Sequence, residues 1–363
     1  MGLKACEEIL QKCTECFACV NECPFLLGLG KTPRNISEEV LGGMDLTKSY
    51  VFSCFLCGLC KVVCPKRLDV PQMFLEAREV LTLDMLSLCS YVKLLLSDES
   101  NSLINIYKNR KVSYHETQTP KFFRYAFLPG CSMIYFSPKA ISKTYAVLSR
   151  VLGDVGILDV CCGKPVYDFG LKERAVKWLN NSVLKELIKH GCNTVITACP
   201  NCYYYLKRML PRDFNVTTIY EELKGELLGR IEGLRVTIHD SCPDRFDGVF
   251  ANEVRNTLAP CNIVEMMHSM NKTLCCGAGG LVAYTNPQLS QFLANIRIQE
   301  MLEVRADVLV TYCYTCVGMF SRLQPPVKVK HALDLLLGVE ESYVERQEEL
   351  LKIISELMNR INI

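Results

Sequence analysis

Cysteine spacing constrains this chain more than any other feature. Eighteen of its 22 cysteines fall into four ordered sets. Two are short runs: Cys13, Cys16, Cys19 and Cys23 before Pro24, and Cys54, Cys57, Cys60 and Cys64 before Pro65. The other two are drawn out: Cys131, Cys161, Cys162, Cys199 and Cys202, then Cys242, Cys275, Cys276, Cys313 and Cys316. Ordered thiols serve as disulfide partners or as metal ligands. The opening residues, MGLKACEEIL, lack the apolar stretch of a secretory signal. The expected location is therefore the cytoplasm, where reducing conditions make dense cysteine a sign of metal. A peripheral place at a membrane would come through a partner subunit. The longest apolar candidate, Val80 to Leu96, is broken by Asp84 and Lys93 and reads as a globular helix rather than a span.

At 363 residues the chain has room for two or three domains. A net charge of +2 gives no electrostatic case for nucleic acid as a partner. No G-x-G-x-x-G follows an expected strand, so a flavin or nicotinamide would have to come from another protein.

The two short runs have the C-x2-C-x2-C-x3-C-P pattern of bacterial ferredoxins, in which the fourth cysteine of each run ligates the other run's cluster. That rule assigns Cys13, Cys16, Cys19 and Cys64 to one [4Fe–4S] cubane, and Cys54, Cys57, Cys60 and Cys23 to a second. Residues three apart on a tight turn present their sulfurs to one side. Proline then forces the chain out of the turn, because it cannot continue the local hydrogen bonding. Phe17, Val20, Phe25, Phe52, Phe55, Leu59 and Val62 are read as apolar cover for the sulfurs. A zinc ribbon would need two C-x2-C pairs rather than two runs of four.

From Tyr125 onward the chain repeats itself with a period of roughly 110 residues. The step from Cys162 to Cys199 is 37 residues, and so is that from Cys276 to Cys313. The first half is read as strands 124–128, 155–160 and 194–197 with helices 138–152 and 171–190. The second is read as strands 235–239, 262–267 and 307–311 with a helix at 287–304. Helix 171–190 is expected to bury Val176, Leu179, Val183, Leu184, Leu187 and Ile188. Strand–helix alternation argues for parallel sheets, and all five cysteines of each half are placed just past strand ends, where such sheets bind ligands. Five thiolates exceed the four of a cubane and suggest a larger or unusual iron–sulfur centre. Gly163, Gly277, Gly279 and Gly280 are read as room for a bulky inorganic group.

The stretches His239-Asp240-Ser241-Cys242, Leu274-Cys275-Cys276-Gly277-Ala278-Gly279-Gly280 and Thr197-Ala198-Cys199-Pro200-Asn201-Cys202 resemble the fused ferredoxin–CCG family. That family includes the D subunit of heterodisulfide reductase, and the iron–sulfur subunits of glycolate oxidase and anaerobic glycerol-3-phosphate dehydrogenase look similar in layout. The resemblance implies a noncubane [4Fe–4S] cluster at each CCG set. Cys131, Cys161, Cys162, Cys199 and Cys202 would hold one, and Cys242, Cys275, Cys276, Cys313 and Cys316 the other. The chain departs from the family in having Ser241 where a proline usually precedes the lone second-half cysteine.

The expected class is α+β overall: a helical two-cluster ferredoxin domain at 1–96, a linker at 97–120, and two tandem α/β CCG domains at 121–234 and 235–338. A C-terminal helix at 339–363 carries a stripe of Leu350, Ile354, Leu357 and Ile361. The expected activity is that of an iron–sulfur oxidoreductase subunit, passing electrons through the two cubanes to the CCG centres, which reduce a disulfide or thiol-type small molecule. The alternative is a non-catalytic relay between a flavoprotein dehydrogenase and a quinone or other acceptor. Either needs a partner: a flavoprotein, a ferredoxin or a haem membrane subunit. Cys6, Cys89, Cys192 and Cys261 are read as small buried residues, and His239 as a group supporting a ligand. Lys164 stands open between tuning charge at the first centre and simple solvation. Tyr203, Tyr204 and Tyr205 are expected to pack the helix after Cys202.

Overall fold

The computed structural model describes residues 2–43, 45–88, 120–227 and 231–360. Cys89, Ile361 and residues 97–119 of the expected linker lie outside them.

The first region is helical. Helices Lys4–Lys12 and Pro33–Leu41 pack on Val70–Leu88, burying Cys6, Ile9, Ile36, Val40, Met73 and Phe74. Thr32 caps the second of these, its hydroxyl accepting from the Asn35 N–H in a capping box, with Pro33 at the first helical position. Between the helices run the two cysteine turns and a 3-10 segment, Leu46–Ser53.

Among the described residues eight strands follow: β1 Tyr125–Leu128, β2 Val155–Ile157, β3 Thr194–Thr197, β4 Asn215–Thr218, β5 Arg235–His239, β6 Asn262–Ile263, β7 Val308–Thr311 and β8 Lys328–His331. They form two wholly parallel sheets of the same order, β2-β1-β3-β4 and β6-β5-β7-β8. Central strands β1, β3, β5 and β7 are buried almost throughout, as parallel strands covered on both faces must be. In each sheet the order reverses between the first strand and its neighbours, and that switch point opens a crevice at the carboxyl ends.

Four details correct the sequence reading. Each sheet has a fourth strand, β4 and β8, whose polar start, Asn215 or Lys328, keeps it from standing out in the sequence. β6 is two residues long, so Cys275 lies a dozen residues past its strand and not at its end. The long helix of the first half is interrupted by a π-helical segment, Asn180–Leu184, and its buried face is Ala175, Trp178, Leu179, Val183 and Leu187. Val176 and Ile188 point outward, 37% and 65% exposed. The extra residue per turn in the π segment rotates the two half-helices relative to each other, so no single 3.6-residue stripe runs through.

One core runs through both sheets, and a second joins the helical region to Val166, Phe169 and Trp178 of the first half and to Val282 and Leu293 of the second. The last helix, Tyr343–Arg360, lies on the chain's own helices Cys131–Phe136 and Tyr314–Ser321 and buries Ile353 and Ile354. Among the described residues no helix is long and apolar enough to cross a membrane.

Candidate metal centres

The two short cysteine runs are curled by left-handed residues at matching positions. Glu15 and Leu56 have φ of 53° and 52°, and Phe17 and Gly58 have φ of 60° and 80°. One-turn helices Ala18–Glu22 and Leu59–Val63 then carry the third cysteines. The fourth cysteines cross over. Cys64 lines a small cavity with Cys13, Cys16 and Cys19, while Cys23 neighbours Cys57 and Cys60. Pro24 ends one turn and also opens the next helix, Pro24–Leu29. Val20, Phe25, Phe52, Phe55 and Leu59 form the apolar cover. Phe17 lines the first set's cavity as well but is half turned to solvent, 53% exposed beside the exposed Cys16. Burial pushes the Cys19 thiol up to about 11 and those of Cys23 and Cys54 up to about 12.

The ten cysteines of the repeat form one unbroken line of neighbouring thiols. It runs Cys131, Cys161, Cys162, Cys202, Cys199 in the first half, with Cys162 and Cys202 sulfurs 3.5 Å apart. It passes from Cys199 to Cys313 of the second half and continues through Cys316, Cys276, Cys275 and Cys242. Nine of these ten also line a single cavity of about 300 Å³ between the halves, walled by Phe136, Trp178, Met319 and Leu350.

The electrostatics of this line fit a polynuclear cationic group. Thiols donated to by both neighbours are driven down, as Cys162 is by Cys161 and Cys202, and Cys276 is, to about 6, by Cys275 and Cys316. The donors Cys161 and Cys316 are pushed well up by the same contacts. Left to themselves, adjacent buried thiols ionise only in alternation; several bound cations would let all of them serve as thiolates. Every cysteine among the described residues is a free thiol. Gly130, at φ 83°, is the glycine that keeps the first set open: a Cβ there would stand 3.1 Å from the Cys199 Cβ and 3.4 Å from the Cys202 sulfur. The glycines singled out in the sequence do other work. Gly277 lies against the Ser290 carbonyl, Gly163 against that of Ala175, and Gly279 and Gly280 against the carbonyls of Phe55 and Cys54. All four admit protein backbone where a Cβ would stand, and Gly279 and Gly280 lie on the cavity wall as well.

His239 lies with Cys276 and Cys316 in one cluster of potential ligand atoms. Its Nδ1 accepts from Arg297 Nε at 3.3 Å, which leaves the proton on Nε2 and makes that nitrogen a donor. Burial, aided by Arg297, lowers its pKa to about 3, so the ring is neutral. The Ser241 hydroxyl stands 3.9 Å from the Cys316 sulfur, where a proline would offer no polar group. Lys164 is paired with Asp168 and lies beside both Cys162 and Cys242, between the halves rather than in solvent. Tyr203 and Tyr205 are buried, and Tyr204 donates across to Asp244 at 2.5 Å. Cys6, Cys192 and Cys261 are buried in the cores, away from every set.

Sequence reasoning missed three buried arginines, Arg78, Arg245 and Arg297. Arg78 falls between Phe74, Ala77 and Leu81, and Arg297 between Leu293, Ala294 and Met301, all buried. A cation on an apolar face was the available signal for both.

The 4Fe-4S dicluster domain profile matches residues 9–68, and the CCG cysteine-rich domain profile matches twice, at 125–207 and 236–321. The chain is 27% identical to the B subunit of the fumarate reductase (CoM/CoB) of Methanothermobacter marburgensis, over 90% of this chain and 72% of that one. It is 25% identical to the D subunit of the dihydromethanophenazine:CoB–CoM heterodisulfide reductase of Methanosarcina acetivorans, over 85% and 87%. It is also 26% identical to lactate utilization protein A of a Geobacillus strain, over 57% and 95%. Crossed ferredoxin runs, two five-cysteine sheets and these matches agree: the chain belongs to the heterodisulfide-reductase-like iron–sulfur proteins that join a 4Fe-4S dicluster domain to a pair of CCG cysteine-rich domains.

Proposed function

We propose that this chain is the oxidoreductase subunit of a larger complex, and that electrons entering at its ferredoxin-type region reduce a disulfide or related thiol-type substrate between the two CCG sets. Cys13, Cys16, Cys19 and Cys64 would hold one cubane, and Cys54, Cys57, Cys60 and Cys23 the other. Cys131, Cys161, Cys162, Cys199 and Cys202, and Cys242, Cys275, Cys276, Cys313 and Cys316, would hold the two noncubane clusters. When bound, these groups supply one-electron carriers and iron sites with affinity for sulfur.

The observation that carries this reading is the shared cavity, with cysteines of both halves on its wall. Cleaving one disulfide to two thiols takes two electrons and two protons, so both halves of the product need a place beside an electron source. Phe136, Trp178, Met319 and Leu350 would exclude water there, and Lys164 supplies a cation between the sets. The exposed Cys16 and Phe17 mark the face where a flavoprotein, ferredoxin or haem-bearing partner would deliver electrons. The two methanogen relatives are likewise named as subunits. The unbroken thiol line from Cys131 to Cys242 also suits the alternative, a relay between a flavoprotein dehydrogenase and a quinone or other acceptor.

The test is anaerobic purification, iron analysis, and titration of the reduced protein with disulfides while recording EPR. About sixteen irons per chain and a new paramagnetic signal on substrate addition, with thiol product, are expected. Full iron content without either response to any disulfide leaves the relay.

A further inference from the structure

We infer that Arg245 and Arg78 place fixed positive charge on the second ferredoxin-type cysteine set, so that the centre bound there is reduced at a higher potential than the one bound by the first set. The inference rests on the ligand assignment proposed above. Arg245 follows Cys242 by three residues and is 4% exposed. Its guanidinium donates to the carbonyl of Cys57 at 2.8 Å, to that of Thr273 at 2.6 Å, and to that of Asn271. Arg78, fully buried, donates to the carbonyls of Cys54 at 2.5 Å, Asp168 at 2.7 Å, Gly280 at 3.0 Å and Val51 at 3.1 Å.

All seven acceptors are neutral. The neighbouring carboxylates are engaged elsewhere: Asp244 with Tyr204, Tyr312 and two backbone N–H groups, Asp240 with Arg255, and Asp168 with Lys164. Carbonyl dipoles solvate a guanidinium without cancelling its charge. In the low dielectric between domains that charge acts on the nearest redox group and favours its more reduced, more negative form. Cys54 and Cys57 both belong to the second set. Among the described residues the first set has no buried equivalent: Arg34 reaches the Cys13 carbonyl at 3.4 Å but is partly exposed and paired with Glu38, and Lys66, on the wall of that set's cavity, is exposed. Electrons entering at Cys16 would therefore run downhill to the second set, which adjoins Cys242 and Cys275.

Potentiometric titration of the anaerobic full-length protein, followed by EPR, reads this directly. In wild type, two ferredoxin-type signals should titrate apart, and the one reduced first should be the one broadened by a neighbouring CCG centre. If the signal reduced last carries that broadening, the inference is wrong, and this needs no variant. Arg245→Gln should lower the potential of that signal alone, while Arg245→Lys, which keeps the charge, stays near wild type. No shift in Arg245→Gln at full iron content, equal shifts of both signals, or equal shifts in the two variants would each overturn it. Iron analysis separates the two levels. Wild-type protein lacking iron sinks the ligand assignment and this inference together, whereas full loading with unmoved potentials sinks the arginine step alone.

Discussion

The two halves of the repeat share sheet order, strand polarity and the 37-residue step from cysteine pair to C-x2-C, yet their surroundings differ. In the first half, apart from Lys164–Asp168 on the cavity wall, charged groups near the sheet are paired at or close to the surface, as in Arg150–Glu226. The second half buries its charges: Asp240 under Arg255, Arg297 between His239 and Glu300, and Asp334 among three hydroxyls. The first faces the cavity through Lys164, while the second lines it with Gly279 and Gly280, which also receive the helical region. A duplicated scaffold thus keeps the positions that deliver sulfur and varies the field around them. Two copies of one ligand geometry need not have the same redox properties.

Removing sulfur ligands would test the comparison most severely. Cys162→Ser and Cys276→Ser occupy equivalent places, and each should remove about four irons per chain. Each should also cut thiol formation by more than the roughly 100-fold typical of losing a group that only orients a ligand. Retention of full turnover by one variant would show that only the other half is catalytic.

Ion pairs come next. Arg255→Ala strands the buried Asp240 and should destabilise by about 3–5 kcal/mol. Arg150→Ala, on the corresponding helix of the first half, should cost about 0–1 kcal/mol. Denaturant midpoints of the two variants measure the gap, and equal values would deny the asymmetry in burial.

Backbone room differs in the same direction. Gly163 and Gly277 both have left-handed backbones, costing an added Cβ roughly 1–2 kcal/mol. At Gly277 that Cβ would also meet the Ser290 carbonyl at 2.3 Å, against 3.3 Å to Ala175 at Gly163. Gly277→Ala should therefore lose about 1–3 kcal/mol more than Gly163→Ala, visible as a lower thermal midpoint.

The last test concerns pH. Burial pushes the Asp334 carboxyl from 3.8 up to about 6, against the opposing pull of the hydroxyls of Tyr343, Tyr314 and Ser137. The folded state therefore holds this proton more tightly than the unfolded chain. Its contribution is fullest below about pH 4, declines as pH rises toward 6, and is level above, for a total of up to about 3 kcal/mol. The matching place in the first half is Glu221, which closes a capping box with Thr218. Asp334→Asn should flatten the slope of stability between pH 4 and 6, read from denaturant midpoints across that range.

Much of this was legible in the residues. Ligand spacing, tight proline-ended turns and strand–helix alternation are local properties, written within a few positions of one another. Strands β1, β3, β5 and β7 were readable because burial on both faces demands short, continuous apolar runs ending at cysteine. Edge strands β4 and β8 were not, because Asn215 and Lys328 open them with the polar look of a loop. The outward turn of Val176 and Ile188 was hidden for another reason: a π segment changes the period within one helix.

The spacing and its repetition along the chain thus determined how the cysteines sort into four sets, because equal separations recur in both runs and in both halves. Packing of distant segments supplied the rest: the junction of Cys199 with Cys313, the seat of Arg78 among carbonyls of three regions, and the glycine contacts that dock the helical region on the second sheet. Such neighbours leave no periodic trace in a linear string, because what brings them together is the burial of whole faces rather than the preference of any one residue.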